Sequence, residues 1–175
     1  MGYLYGVRDA KIALWNSTGS YGTLIDLPAV NRVEYNPRTS TGELEGDDEV
    51  VDSFSKIIGV EGRIVFADTN VVRSDIMNLL LGADVTSSGS KKKITIGEHN
   101  PNYFGLAWKV VVTDNSGEDH FMVYKARITN IQYSAAYGGY TVPEVSFTGV
   151  ADNGDVIEVV ENQPIDTALA MPLTY

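Results

Sequence analysis

Few side chains in this sequence could carry out catalysis. Cysteine is absent, and only two histidines occur, His99 and His120. The sequence contains neither a G-x-S-x-G nucleophile turn nor a glycine-rich phosphate-binding motif. A metal site formed by the two histidines and a carboxylate is one alternative, and a carboxylate pair for glycoside hydrolysis is another. Isolated histidines in a loop and a turn are usually solvated, and 23 acids form pairs by chance. We therefore predict no enzyme, with no catalytic residue, no metal site and no cofactor.

The densest group of ionisable side chains lies between positions 43 and 49, where five of seven residues are acidic. Leu44 is the only large apolar residue of this run, and Gly42 and Gly46 interrupt it. An EF-hand calcium loop needs alternating Asp or Asn and a Glu at its twelfth position, which this clustered pattern does not match. A solvated, self-repelling loop is the simplest interpretation, and calcium binding is an alternative.

The charge balance excludes a protein that binds nucleic acid through its phosphates. The formal net charge is −10, from 23 acids and 13 bases, and no Lys or Arg follows Arg127. An acidic surface repels phosphates. No apolar run approaches the roughly 18 residues of a membrane span, and the first residues do not resemble a secretion signal. A chain of 175 residues is long enough for one domain.

Short β-type runs separated by turn residues dominate the sequence, which has 17 Gly and 10 Tyr. The predicted strands are 11–15, 30–35, 50–58, 61–66, 104–113, 119–127, 128–137, 142–150 and 156–161. Between them, the spacing of the apolar residues predicts a single helix over 71–81, with N-cap candidates at 68–70 and Gly82 at the C′ position.

The connections give the remaining elements. Residues 83–93 are predicted as a loop that ends in three lysines, and 114–117 as the turn of a hairpin. The Asn153-Gly154 pair predicts a tight hairpin turn between 142–150 and 156–161. Residues 162–175 contain two prolines and no period, so we expect an extended C-terminal arm. Together these elements predict a single mainly β domain, a two-sheet β-sandwich or barrel with one flanking α-helix.

The acidic segment carries a resemblance to a known family. Residues 44–48 read L-E-G-D-D and follow a predicted strand that ends at Tyr35. This resembles the tail tube proteins, or major tail proteins, of long-tailed bacteriophages, in which a similar element follows an early strand much like the V-E-Y of residues 33–35. The length, the lack of Cys, the many strands and the single central helix agree in outline. Beyond residue 66 the resemblance is one of architecture alone.

The resemblance implies a structural virion protein whose fold is of the phage tail tube type. Its subunits would form hexameric rings that stack into a hollow tube, through which double-stranded DNA leaves the capsid without specific binding. Its partners would be further copies of itself and other phage tail proteins. Its location would be the virion, and the host cytoplasm during assembly. A long hairpin loop at about 36–52 would reach a neighbouring subunit, and a terminal arm at about 162–175 would add contacts.

Two sets of residues follow from this interpretation. Because an acidic hairpin has little to bury against its own core, we predict that it contacts another subunit and that bases of that subunit receive it. The predicted hairpin contacts are Glu43, Leu44, Glu45, Gly46, Asp47, Asp48 and Glu49; the candidate basic partners are Arg8, Arg38, Lys91, Lys92 and Lys93. We expect an acidic lumen that repels DNA, with Glu144, Glu158 and Glu161 as candidates to face it.

Other functions stay open on the sequence alone. Another tail or head–tail component, or a secretion tube, would have the same general features. A β-sandwich carbohydrate-binding module would use surface aromatic side chains, for which the candidates are Trp15, Trp108, Tyr137 and Tyr140. Rings or tubes in negative-stain images would favour a tube protein over a lectin or an enzyme.

Overall fold

The computed structural model describes residues 4–46, 49–66, 74–112, 116–136 and 139–174; for 4–6, 43–46, 49–54, 133–136 and 139–143 it describes the backbone only. The described residues form one helix and eleven strands. In chain order these are β1 (Leu4–Ser17), β2 (Ser20–Tyr21), β3 (Ile25–Asp26), β4 (Val30–Gly46), β5 (Glu49–Phe66), α1 (Ser74–Leu81), β6 (Asp84–Ser88), β7 (Lys91–Thr95), β8 (Phe104–Val112), β9 (Glu118–Ala136), β10 (Gly139–Val150) and β11 (Ile157–Gln163).

All strand pairs are antiparallel, and the main sheet has the order β2-β1-β8-β9-β10-β5-β4. The ladder bends along β9, so that it forms two layers. The first sheet contains β1, β2, β3, β8, β11 and the first half of β9. The second sheet contains the other half of β9 with β10, β5 and β4. The prediction of a mainly β, two-sheet sandwich with one helix is confirmed. The sheet does not close into a barrel.

The main core lies between the two sheets. Ile12 and Leu106 of the first sheet and Ile64 and Phe147 of the second are each at most 1% exposed and belong to one apolar cluster. Strand alternation explains this arrangement, because every second side chain of each strand faces the other sheet. Trp108 is 3% exposed and stacks on Phe121 with ring centroids 5.3 Å apart. The opposite side chains of the second sheet are left to form a polar outer surface.

Helix α1 covers one part of this core through the four apolar side chains Ile76, Met77, Leu79 and Leu80. The predicted helix is confirmed where it is described, from Ser74 to Leu81, and the predicted N-caps at 68–70 lie outside the described residues. Gly82 follows with φ of +63° and donates its N–H to Asn78 O at 2.9 Å. This is the left-handed C′ glycine that the sequence predicts. The helix has eight residues, and no described helix is long and apolar enough to cross a membrane.

Several strand boundaries differ from the prediction. Two predicted strands merge into β5 and two into β9, so each runs without a break through the predicted joint. The predicted loop at 83–93 instead forms a two-stranded hairpin of β6 and β7 around Gly89. Its short strands carry mostly polar side chains, which gave no alternation of apolar residues for the sequence analysis to detect.

The prediction of a hairpin around Asn153-Gly154 was wrong, although the turn itself is present. Both residues have positive φ, 52° and 92°, and Asp152 and Asp155 pair across them. However, β11 does not return along β10. Val150 pairs with Lys125 and Ile157 with Val123, so β11 continues in the direction of β10 along the same edge of β9. Strands β10 and β11 therefore pair with the same edge of β9, and the turn connects them without reversing the chain. Local turn chemistry does not fix the partner of the next strand.

The predicted C-terminal arm packs on its own domain. Leu169 and Leu173 are 4% and 7% exposed and form a second apolar cluster with Ala107 and Met122, on the face of the first sheet that points away from the main core. Residues 164–174 contain no helix or strand, and two leucines are enough to hold this irregular segment on an apolar face. Contacts of the predicted arm at about 162–175 with another subunit stay a prediction.

The continuity of β5 through Gly62 requires a residue without a side chain. A Cβ at Gly62 would lie 2.4 Å from Glu34 O and 2.5 Å from Phe147 Cζ. We expect Gly62→Ala to lower the free energy of unfolding by about 1–3 kcal/mol, since overpacking forces a backbone or ring shift. A Cβ at Gly22 meets nothing closer than 3.5 Å, so Gly22→Ala is the matched control and should change stability by less than about 0.5 kcal/mol. Equal losses in urea unfolding for the two variants would contradict this account of β5.

Candidate functional site

A long hairpin extends from the second sheet. Strands β4 and β5 pair from Val30 with Phe66 to Gly46 with Glu49, and β10 adds to β5 only over Gly59–Val65 of these rows. Beyond the row of Arg38 and Gly59, the two strands pair only with each other in the described ladder. These eight further residues of β4 correspond to an arm about 27 Å long at 3.4 Å per residue. The predicted loop at 36–52 lies within this hairpin.

The acidic residues occupy the end of the arm. Residues Glu43, Leu44, Glu45 and Gly46 end β4, Glu49 begins β5, and Asp47 and Asp48 between them lie outside the described residues. At 3.4 Å per residue, the described residues of this run, 43–46, lie about 17–27 Å beyond the row of Arg38 and Gly59. The contact of this tip with another subunit stays a prediction.

The candidate basic partners differ in availability. Arg8 Nη1 and Nη2 form ion pairs with Glu118 at 3.2 Å and Asp166 at 2.6 Å, and Arg38 Nε pairs with Glu61 at 3.2 Å. Their charges are therefore already balanced within the chain. Lys91, Lys92 and Lys93 lie exposed on β7, and the Lys92 ammonium donates to Ser74 Oγ at 3.0 Å. Of the five candidates, the three lysines remain as exposed cations without a carboxylate partner among the described residues.

The outer surface of the second sheet is polar and charge-balanced; we call it the polar face. Arg63 Nε donates to Glu34, and its Nη1 lies 3.5 Å from Glu144. Arg32 Nε lies 2.9 Å from Glu34. The hydrogen bond from Arg63 lowers the pKa of Glu34, against a smaller opposing effect of desolvation. These pairs surround a depression of about 450 Å³; its lining includes Glu34, Asn36, Glu61, Arg63, Thr129, Ser146 and Thr148.

The three candidate lumen acids do not lie on one surface. Glu144 belongs to the polar face and is paired with Arg63. Glu158 and Glu161 are on β11 in the first sheet. The Tyr124 hydroxyl donates to Glu158 Oε2 at 2.7 Å, and burial followed by this contact raises the pKa of Tyr124. Because the two sheets face different directions, a single channel wall formed by one sheet would include Glu144 without the other two.

The second sheet has two open edges within the described residues. On one side, β4 pairs with β5 alone; on the other, residues 127–136 of β9 pair with β10 alone. Each open edge presents backbone N–H and C=O groups that could pair with another strand. Three antiparallel steps separate β9 from β4, so the two edge strands run in opposite directions.

A cluster of aromatic and basic side chains lies where the two sheets meet at β9. Lys125 Nζ is 3.9 Å from the centroid of the Trp15 ring, and Arg127 Cζ is 3.8 Å from that of Tyr103. Trp15 Nε1 donates to Asp152 at 3.2 Å. Burial raises the pKa of Asp152, but hydrogen bonds from Thr18 and Trp15 outweigh that effect and lower it overall. The sequence gave no signal for this cluster, because its members are far apart along the chain.

Two of the four aromatic side chains proposed for carbohydrate binding are described by the structure. Trp108 is buried in the core, and Trp15 is covered on one face by Lys125. Tyr137 and the side chain of Tyr140 lie outside the described part of the chain. A sugar-binding platform needs exposed aromatic rings, so the described residues give this alternative little support.

The buried carboxylate of Glu118 on β9 connects the C-terminal segment to strands β1 and β8. Glu118 is fully buried; its oxygens lie 3.2 Å from Arg8, 3.3 Å from Lys109 and 3.4 Å from His120, and it accepts the Asp166 N–H at 3.1 Å. Burial alone would raise the pKa of Glu118, but these donors together lower it. Lys109 also donates to Thr167 O at 3.0 Å. We call this set the Glu118 network.

From the sequence, both histidines are expected to be solvated, and each instead makes a specific contact within the chain. His120 is 2% exposed within the Glu118 network, so its prediction as a solvated turn residue was wrong. His99 is exposed, and its Nε2 lies 2.7 Å from Leu81 O, where it contacts the C-terminal carbonyls of α1. Among the described residues no group of three or more His, Cys, Asp or Glu side chains could hold a metal ion.

No protein-family model matches the sequence, and no curated protein resembles it significantly.

The Glu118 network predicts a specific loss of stability. Glu118→Ala leaves Lys109 buried without its carboxylate, so we expect the free energy of unfolding at pH 7 to fall by about 3 kcal/mol. Glu161→Ala on the exposed side of β11 is the control and should change it by less than about 0.5 kcal/mol.

The same variant predicts a pH dependence. Because folding lowers the pKa of Glu118, its contribution is complete above the unfolded-state pKa, about 4.3, and is lost as the pH falls through the lower folded-state value. Urea unfolding of wild type and Glu118→Ala should therefore differ most near neutral pH and converge in acid. A difference that stays constant down to about pH 2 would contradict an ionised Glu118.

Proposed function

We propose that this protein is the structural subunit of a phage tail tube, in which hexameric rings stack into a conduit for DNA. The proposal begins with the L-E-G-D-D resemblance at residues 44–48. A mainly β sandwich with one helix and a long hairpin agrees with it. In the virion such a tube would meet other tail proteins at its ends, and the duplex would pass through it without specific binding.

The observation that carries the proposal is the pair of open edges on the second sheet. Because β4 and the second half of β9 run in opposite directions, β4 of one copy can lie beside β9 of the next and continue the antiparallel order. This contact joins two different surfaces, so it repeats from copy to copy and closes into a ring when the rotation permits. Each copy would contribute four strands to one continuous inner wall.

The polar face supplies a suitable lining for that wall. Arginines 32, 38 and 63 of this face are each held by a carboxylate of the same face, whereas Arg127, at the β9 edge in the row of Thr148 and Glu61, rests on the Tyr103 ring. An arginine that is already paired offers less to a passing phosphate, so the duplex forms fewer charge-assisted contacts that it must break to move. This differs from the wall expected from the sequence, in which unpaired acids would repel DNA. Paired arginines and carboxylates would also bind the passing DNA only weakly, but through neutralised charges and not through repulsion.

Introduced cysteines test the edge-to-edge contact, because the chain has none of its own. We expect Asn36→Cys on β4 combined with a cysteine at Thr129, Asn130 or Gln132 on β9 to form disulfides between copies under oxidation. All four positions are exposed on the second sheet. At least one pair should give a ladder of covalent oligomers that ends at six on a non-reducing gel.

Each single-cysteine variant is a control and should stop at dimers. A second control joins Asn36→Cys with Lys91→Cys on β7, which should not give the ladder. Negative-stain images of the uncrosslinked protein should contain rings or tubes. Small separate particles at all concentrations, together with no ladder from any of the three pairs, would overturn the proposed function.

A further inference from the structure

Arg127 differs from the other described arginines in having no carboxylate. Arg8, Arg32, Arg38 and Arg63 each lie within 3.2 Å of an acidic oxygen. The guanidinium of Arg127 instead rests on the Tyr103 ring, and its Nε atom is buried with no hydrogen-bond partner. The side chain as a whole is partly exposed, so its terminal Nη groups, unlike the buried Nε, can receive an acceptor from another molecule.

The surroundings of Arg127 form a firm platform. Trp15 and Tyr103 pack edge to face with ring centroids 6.1 Å apart, and Lys125 Nζ lies over both rings, 3.9 Å and 4.6 Å from their centroids. All four side chains are partly exposed. We call these four residues the cationic platform. Asp152 offsets part of the Lys125 charge, since Lys125 contributes to lowering the pKa of Asp152. Arg127 has no carboxylate partner of this kind among the described residues.

The chain's own acidic tip is far from its own platform. Lys125 pairs with Val150, which pairs with Gly59, which pairs with Arg38, so all four lie in one row across the second sheet. The arm leaves the sheet at this row and places residues 43–46 about 17–27 Å beyond it at 3.4 Å per residue. An acidic tip that reaches this row must therefore come from another copy.

We propose that the cationic platform of one subunit binds carboxylates at the hairpin tip, residues 43–49, of a second copy of this chain. This inference rests on the proposed self-assembly and names the receptor that the hairpin would need. Arg127 would hold a carboxylate through its terminal Nη groups, with Lys125 beside it. The platform thus replaces Arg8 and Arg38, whose charges are already paired.

Protein carboxylates fit the platform better than nucleic acid phosphates do. The platform has two cations in a chain of net charge −10, whereas phosphate binding needs several bases along a backbone. The tip offers five acids in seven residues. An Arg stacked on an aromatic ring can still donate two parallel hydrogen bonds to a carboxylate from the edge of its guanidinium plane. Such a contact depends on the orientation of the two groups as well as on their charges.

Opposite effects on stability and assembly distinguish a binding role from a structural one. Arg127→Met keeps the length of the side chain and removes the unpaired donor. We expect its Tm as a dilute monomer to be equal to or above that of wild type, within about 2–4 °C. The concentration needed for assembly should rise at least tenfold, as the loss of one charge-assisted contact predicts. Lys11→Met, which removes a cation of the first sheet that pairs with Asp26 at 3.1 Å, is the control: it should shift Tm by no more than about 2–4 °C and leave assembly unchanged. A lower Tm with unchanged assembly would overturn the proposal.

A charge exchange identifies the partner. Arg127→Glu with Lys125→Glu should abolish assembly, and so should Glu43→Lys with Glu45→Lys. Mixing the two proteins, or combining all four changes in one chain, should restore it. Wild-type assembly with no defect in either double variant would overturn the platform contact and leave the ring proposal standing. A wild type that stays monomeric would overturn both. Defects that are not rescued, with loss of weak DNA binding by the Arg127 variant alone, would assign the platform to phosphate instead.

Discussion

The architecture depends on the sharing of β9 between two sheets. Its first half is held on both edges, by β8 and β11, whereas residues 127–136 are held by β10 alone. One edge of this 19-residue strand is covered by β11 and β10 in succession, but the other edge is covered only by β8, which has nine residues. The bend at β9 therefore forms the sandwich and, at the same time, leaves one edge of the second sheet without a partner. Strand β4 supplies the other open edge.

Most of the described cations on the two sheets form an ion pair with a carboxylate of the same chain. Glu118 balances bases from two strands and fixes the C-terminal segment, while Arg63 joins two acids on the polar face. Such pairs contribute modestly when exposed and strongly when one partner is buried. The densest group of acids in the sequence, at residues 43–49, takes no part in these pairs. Arg127 is the exception among the described arginines, which is why it carries an inference about a partner.

Local chemistry in the sequence predicted much of the fold but little of its pairing. The helix with its C′ glycine at Gly82, the positive φ at Asn153 and the β8–β9 hairpin are all present. The continuity of β5 was missed, because Gly59 and Gly62 look like turn residues although they allow close strand contact. The Glu118 network and the cationic platform join residues more than a hundred positions apart, and no spacing rule in one sequence indicates such contacts.

Hydrogen exchange on free and assembled protein tests the central claim most directly, namely that the open edges of the second sheet pair between copies. The account predicts that backbone amides in 30–38 of β4 and 127–136 of β9 gain protection on assembly. Amides in β8, which already has partners on both sides, should change little and serve as the internal reference. An assembled species in which these two edges exchange as fast as in the free subunit would contradict the account.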